Sequence, residues 1–170
     1  MKIVILNGSP RPKGNTAGMI EIFKDAAGEQ GHDIKVFDVC KMNIQGCKAC
    51  EYCHGVGKGK CIIKDDMQEV YKDLKDMEMI IIASPIYYHG LSGQIKCAID
   101  RFYSALYPKA PETLKKVAMF LSSGDENMYT GAKFSYDGDF VVYLGLEGMG
   151  IITNHDDDYE EKIRELAKNI

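Results

Sequence analysis

No apolar run in the 170-residue sequence is long enough to span a bilayer, which argues against a helical membrane protein. There is no excess of basic charge either. The formal net charge is -4, which leaves nothing to draw the chain to nucleic acid or an anionic membrane. No internal repeat and no low-complexity linker interrupts the chain, so a single domain over residues 1–170 is expected. The short apolar run after Lys2 is too brief for the core of a secretory signal, and a cytoplasmic protein is expected. At this length roughly 70% of the unfolded surface can be buried, so no covalent staple is needed. The six cysteines, in a reducing compartment, then argue for metal or redox chemistry over structural disulfides.

Two phosphate-loop signatures are missing as well. Gly14 is followed by Asn15-Thr16 where a nucleotide triphosphatase needs Lys-Ser/Thr, and Gly8 and Gly14 do not make the three-glycine dinucleotide fingerprint. What is present is an apolar strand, Lys2–Asn7, a loop Gly8-Ser9-Pro10-Arg11-Pro12-Lys13-Gly14-Asn15-Thr16, and a helix with Met19, Ile20, Phe23, Ala26 and Ala27 on one face. Strand, small-residue loop and helix in that order form a cradle for one terminal phosphate. Loop amides and the helix N-terminus converge on it, with Ser9, Asn15 and Thr16 as side-chain donors and Arg11 as a cation. A plain βα turn is the alternative reading of the loop alone.

Five apolar runs read as strands: Lys2–Asn7, Asp33–Val39, Glu78–Ala83, Lys116–Ser122 and Gly150–Asn154. Three of them are continuously apolar, as in strands covered on both faces of a parallel sheet. Between them lie helical patterns: Met67, Val70, Tyr71 and Leu74, capped by Asp65 or Asp66; then Ile95, Ala98, Ile99, Phe102 and Leu106, starting near Ser92. The last helix spans about Asp157 to Asn169, with Asp158 and Glu161 spaced as a capping box. Phe140, Val141 and Leu144 suggest a further short helix, against the glycines around them. The alternation implies a doubly wound α/β sandwich with a five-stranded parallel sheet in the order 2-1-3-4-5. Its crevice opens at the C-terminal ends of strands 1 and 3.

The loop after the third strand, Ser84-Pro85-Ile86-Tyr87-Tyr88-His89-Gly90, lands at the same crevice. Pro85 is expected to stop the sheet ladder there. A flat aromatic ligand could pack on the apolar and tyrosine residues, or the tyrosines could close the core. His89 reads as a solvated loop-tip residue.

Gly8-Ser9-Pro10-Arg11-x-x-Gly14-Asn15-Thr16, Ser84-Pro85-Ile86-Tyr87-Tyr88 and Ser92-Gly93-Gln94-Ile95-Lys96-x-x-Ile99-Asp100-Arg101 together resemble the NADPH-dependent FMN reductase branch of the flavodoxin-like superfamily, over about the first 125 residues. The resemblance implies a flavodoxin-like three-layer sandwich binding FMN, with NAD(P)H as electron donor. By it, Ser9, Arg11, Asn15, Thr16 and Ala17 contact the FMN phosphate. Pro85, Ile86, Tyr87 and Tyr88 line the flavin ring, as does the loop Ser122, Ser123 and Gly124. Asp125 and Glu126 add negative charge near that last loop. FMN would carry the chemistry, so no side chain is nominated as a catalytic acid or base.

A cysteine-rich loop, residues 46–61, remains. Cys47, Cys50, Cys53 and Cys61 have the spacing C-x2-C-x2-C-x7-C. Thiolates at three-residue intervals are closer to the compact run of ferredoxins than to paired zinc knuckles. Gly55, Gly57 and Gly59 allow a tight loop, and Lys58 and Lys60 would offset cluster charge. Zinc and plain reduced thiols are the alternatives. The string also resembles the motif of the iron–sulfur flavoproteins of the same superfamily, in which four such cysteines hold a [4Fe-4S] cluster that passes electrons to FMN. Cys40 and Cys97 fall outside the spacing, and Cys97 reads as core packing.

Three functional expectations follow. The first is an FMN-dependent oxidoreductase carrying electrons from NAD(P)H to a small acceptor: a quinone, an azo or nitro compound, or free flavin. The second is an electron carrier with FMN and a [4Fe-4S] cluster, reduced by a ferredoxin. The third is a non-enzymatic flavin- or partner-binding module. Phe102, Tyr103 and Tyr107 could form a patch for a homodimer or homotetramer.

Overall fold

A computed structural model describes residues 1–170. Its strands are β1 (Lys2–Asn7), β2 (Asp33–Phe37), β3 (Met79–Tyr87), β4 (Gly90–Leu91), β5 (Lys116–Ser122) and β6 (Glu147–Thr153). Its helices are α1 (Asn15–Glu29), α2 (Met67–Leu74), α3 (Gly93–Arg101), α4 (Thr130–Ser135) and α5 (Tyr159–Asn169). The sheet runs β2-β1-β3-β5-β6, all parallel, and the two-residue β4 folds back antiparallel on the end of β3. Without that small hairpin the order is the expected 2-1-3-4-5; with it the sheet has six strands. No helix is long and apolar enough to cross a membrane.

The apolar runs are continuous because both faces of the sheet are covered. Val4, Leu6, Ile80, Ile82, Val117, Met119 and Leu121 pack against α2, α3 and the segment after α4. Their alternate neighbours Ile3, Ile5, Met79, Ile81, Ala118 and Phe120 pack against Met19, Ile20 and Phe23 of α1 and Ile163 and Leu166 of α5. This is the period-2 split of a strand, expressed on two hydrophobic layers.

The structure corrects several local expectations. β3 does not stop at Pro85: it continues to Tyr87, with Pro85 level with Ser122 of β5. Pro85 has the same strand parity as Ala83, whose carbonyl faces β1, so its missing N–H falls beyond the end of β1 where no acceptor waits. Asp158 makes no capping box. It turns the chain into α5 with φ 53, and its side chain caps nothing. Of the two capping candidates at α2, Asp65 accepts from the Met67 amide at 3.2 Å, whereas Asp66 makes no cap. The weak helical signal around Phe140 becomes α4 followed by a wider, π-helical stretch, Tyr136–Tyr143. There the Tyr136 hydroxyl donates to the Val117 carbonyl (3.2 Å) and accepts from the Gly150 amide (2.7 Å). It thereby bridges the register shift between β5 and β6.

The C-terminal edge of the sheet is held together by one serine. The Gly8 amide donates to the Ala83 carbonyl at 2.8 Å. Ser92 Oγ donates to the Gly8 carbonyl at 3.0 Å, and the Ser92 amide donates to Ser84 Oγ at 3.0 Å. The same Ser92 hydroxyl caps α3 by accepting from the Ile95 amide. A Cβ on Gly8 would lie 2.3 Å from Ile95 Cγ1 and 2.6 Å from Ser92 Oγ. Gly8→Ala is therefore expected to cost about 1–3 kcal/mol through overpacking, read as a lower urea midpoint. An unchanged midpoint would show that the loop does not seat against α3.

Candidate functional site

The loops after β1, β3 and β5 enclose one cleft of about 380 Å³, lined by Ser9, Arg11, Gly14, Asn15, Thr16, Pro85, Ile86, Tyr87, Ser122, Ser123 and Gly124. Seven of the nine residues of the first two expected clusters and all three of the third set line it; Ala17 and Tyr88 do not. Ala17 lines the adjoining groove with Asn7, Pro12 and Asp38. Tyr88 is fully exposed, because it and His89 form a two-residue hairpin tip in left-handed conformation (φ 50 and 63) that throws the Tyr88 ring outward. His89 is exposed, as expected of a loop tip.

The electropositive end of the cleft is the start of α1. Gly14 stands at the cap position without a side-chain cap, and the first turn carries no acid. The first intrahelical partner of Gly14 is the Gly18 amide, at 3.0 Å, so the Asn15, Thr16 and Ala17 amides have no protein acceptor. The loop itself is stiffened from within. Asn7 Oδ1 accepts from the Ser9 amide (3.0 Å), Ser9 Oγ from the Arg11 amide (3.3 Å), and the Ser9 carbonyl from the Cys40 thiol (2.9 Å). Asn7 Nδ2 donates to Asp38 (2.9 Å), whose carboxyl sits below its ordinary range because Lys41 and Asn7 hydrogen-bond it. Thr16 Oγ1 and Ser122 Oγ share a buried hydrogen bond of 2.7 Å, which joins the first loop to the third. Arg11 is the only charged residue in the lining.

The third loop is fixed by Asn154, a residue the sequence reading did not single out. Its Oδ1 accepts from the Ser123 amide (2.8 Å) and the Tyr129 hydroxyl (2.9 Å), and its Nδ2 donates to the Ser123 carbonyl (3.1 Å). Asp125 is spent on the short turn Glu126–Met128, accepting from the Asn127 amide, so neither Asp125 nor Glu126 lines the cleft. Nothing in the local pattern of the chain marks Asn154, whose partners lie a strand away.

The four spaced cysteines meet at a second place. Cys47, Cys50, Cys53 and Cys61 all line one small cavity, together with Ile62, Ile63, Arg101 and Tyr103. Cys47 and Cys50 are exposed and Cys53 is buried. Burial pushes the Cys53 thiol up. Of the expected hinges, Gly57 has no room for a Cβ, which would meet Lys60 O and the Tyr52 ring at 2.6 Å, and Gly59 is left-handed (φ 82). Ala49, Glu51 and Lys58 are left-handed too (φ 50, 54 and 45), a strained setting for side-chain-bearing residues, and all three lie in this loop. The Ala49 amide donates to Cys47 Sγ at 3.4 Å. The cations against the cavity are Lys48 and Arg101, not the expected Lys58 and Lys60. No three of the thiols converge tightly enough for one metal ion. Cys97 is half-buried, not fully in the core. Phe102 is buried at 5% exposure, which removes it from any surface patch, whereas Tyr107 and Tyr143 are exposed and stacked with centroids 6.3 Å apart.

Comparison with known proteins gives a family. The profile described as NADPH-dependent FMN reductase matches residues 1–142. An iron–sulfur flavoprotein of Methanocaldococcus jannaschii is 36% identical over 129 residues, covering 75% of this chain and 64% of the relative. The chain spans about half to two thirds of the length of the first curated relatives it matches. Among solved structures, the NAD(P)H:quinone oxidoreductase from Methanothermobacter marburgensis superposes with a TM-score of 0.72 at 18% identity, covering 99% of this chain and 92% of that one. An FMN-dependent NADH-azoreductase from Bacillus anthracis, solved with FMN, gives 0.70 at 13% identity, over 98% and 97%. These two show the flavodoxin-like fold. The strand–loop–helix that opens the chain and the loop that follows β3 thus lie within a matched profile that covers most of its length, and the chain belongs to the NADPH-dependent FMN reductase family.

Proposed function

We propose that this chain binds FMN in the cleft at the C-terminal edge of the sheet and carries electrons from NAD(P)H to a small acceptor: a quinone, an azo or nitro compound, or free flavin. One observation carries the reading: the uncapped start of α1 and the Pro85-Ile86-Tyr87 wall belong to the same cleft. The free amides of Asn15, Thr16 and Ala17 would hold the phosphate, helped by the Arg11 guanidinium and the α1 dipole. Ser9 presents its hydroxyl at the same end. Pro85, Ile86 and Tyr87 would support one side of the ring, and Ser122, Ser123 and Gly124 the other. FMN supplies hydride and single-electron chemistry when bound. The chain's part is to orient it: Arg11 is the only titratable cation in the lining, which holds no carboxylate, histidine or thiol that could act as acid or base.

A second reading rests on the shared cavity of Cys47, Cys50, Cys53 and Cys61. Four thiols lining one cavity are the donor set that a [4Fe-4S] group takes. In this reading the four cysteines hold a [4Fe-4S] group, and the chain takes electrons from a ferredoxin and relays them through FMN. Six free thiols suit a reducing, cytoplasmic setting. The exposed Phe134, Val142, Tyr107 and Tyr143 suit self-association into a homodimer or homotetramer.

FMN is expected to bind more tightly than riboflavin, and Arg11→Ala to weaken FMN about tenfold while leaving riboflavin unchanged, as for loss of one charge-assisted hydrogen bond. Equal affinity for the two flavins would overturn the phosphate assignment. Steady NAD(P)H oxidation by the FMN-loaded chain supports the reductase and excludes a silent binding module. About four iron and four sulfide per chain after anaerobic purification supports the second reading; their absence leaves the cysteines as thiols. Light scattering of the purified chain is expected to give a multiple of 19.0 kDa, and a monomeric mass removes the dimer.

A further inference from the structure

We propose that Arg101, paired with Asp65, is the positioning residue of the four-cysteine site: the pair latches the base of the cysteine loop and sets a permanent cation in the cavity wall. The inference rests on the reading of those cysteines as ligands of an anionic iron–sulfur group, and extends it to a residue outside the cysteine spacing.

Arg101 ends α3, and its side chain and that of Asp65 are 0% and 1% accessible. Its Nη1 donates to Asp65 Oδ2 (2.8 Å) and to the Gln45 carbonyl (2.9 Å), and its Nη2 to Asp65 Oδ1 (3.2 Å). Its Nε donates to the Tyr71 hydroxyl (3.3 Å), which itself donates to the Arg101 carbonyl (3.0 Å). Asp65 completes the knot by accepting from the Gln45 amide (2.9 Å) and the Met67 amide (3.2 Å). Gln45 stands just before Cys47, and Asp65 just after Cys61. One buried guanidinium–carboxylate pair therefore grips both ends of the segment that carries all four thiols. A second, exposed bridge lies outside it, where the Asn43 amide and Asp66 Oδ2 meet at 2.7 Å and the Asp66 amide and Asn43 carbonyl at 3.1 Å.

Such a pair is a poor source of net stability. Two desolvated charges often hold a fold no better than apolar residues of the same volume. Its position suggests another use, because Arg101 also lines the cysteine cavity. The four contacts above occupy four of the five guanidinium N–H groups, and the fifth is on Nη2. A thiolate or sulfide in the cavity would find there a donor that cannot lose its charge. Lys48, the other cation against the cavity, is exposed, so its charge is screened by solvent. The pair Lys96–Asp100 on the same helix shows how an ordinary helix ion pair is placed, open to water.

The test compares the full chain with Arg101→Lys, Arg101→Met and Asp65→Asn. Three quantities are read on each: FMN affinity, the alkylation rate of Cys47, Cys50, Cys53 and Cys61 by iodoacetamide in metal-free protein, and iron retained after anaerobic reconstitution with ferrous iron and sulfide. FMN binds near Ser92 at the far end of α3, about 14 Å along the helix, so it reports on the fold as a whole. Arg101→Met is expected to leave FMN affinity within twofold, to raise alkylation of the buried Cys53 at least tenfold while the exposed Cys47 and Cys50 change little, and to lose most of the iron. Arg101→Lys, with the charge but not the fork, is expected to recover part of the iron. If Arg101→Met does not fold, Asp65→Asn carries the same comparison. Unchanged alkylation, or FMN affinity and thiol protection lost in parallel, would overturn the latch. If the wild type retains no iron, the cluster reading fails, and the alkylation contrast alone still decides the latch.

Discussion

The Ser92 hydroxyl is the hinge on which the cleft depends. It donates to the carbonyl of the first loop, caps the helix that follows the second, and its amide holds Ser84 at the end of β3. Gly8 makes this possible by having no side chain, since α3 fills the space a Cβ would need. The contact is buried, so each polar group in it must be satisfied by another, and the loops cannot move independently without leaving one orphaned. The Thr16–Ser122 bond does the same between the first and third loops. Three turns far apart in the chain are thereby one rigid rim, and the free amides at the start of α1 are aimed into it.

The two candidate sites sit at the two ends of α3. At its N-terminus the helix anchors the loop after β1 through Ser92, and at its C-terminus it delivers Arg101 to the cysteine cavity. Their electrostatics are alike in one respect: each sets donors and a guanidinium where negative charge would gather. In the cleft these are free amides and Arg11. In the cavity they are Arg101 and a loop whose left-handed residues Ala49, Glu51 and Lys58 are held against their own preference. For Asp65, burial works against ionisation, but hydrogen bonds from Arg101 and the Gln45 amide outweigh it and hold the carboxyl below its ordinary range. The pair therefore contributes fully above the usual carboxylate range and is lost only as pH falls through the lowered value.

The sheet and its order were legible because buried parallel strands leave an unmistakable trace, runs such as Ile3-Val4-Ile5-Leu6 with no polar alternation. The three loops of the cleft were legible because glycine, serine and proline cluster at strand ends. What could not be read were features decided by a partner distant in the chain. Pro85 stays in the ladder because β1 ends beside Ala83; Tyr88 leaves the cleft because β4 forms a tight hairpin; Asp158 takes a left-handed turn in place of a cap. Asn154 acts through a neighbour 31 residues away and no local spacing announces it; Arg101 stands in a recognisable motif, but its partner Asp65 lies 36 residues away. The cysteine spacing was plain, yet the cation that faces it lies on a helix assigned by pattern to the core.

The most direct test of a single rigid rim is amide hydrogen exchange on the metal-free chain with and without FMN. The account predicts that FMN slows exchange together at three separated stretches: residues 15–18, 84–88 and 122–125. Protection confined to one of them, or placed elsewhere on the chain, would contradict it.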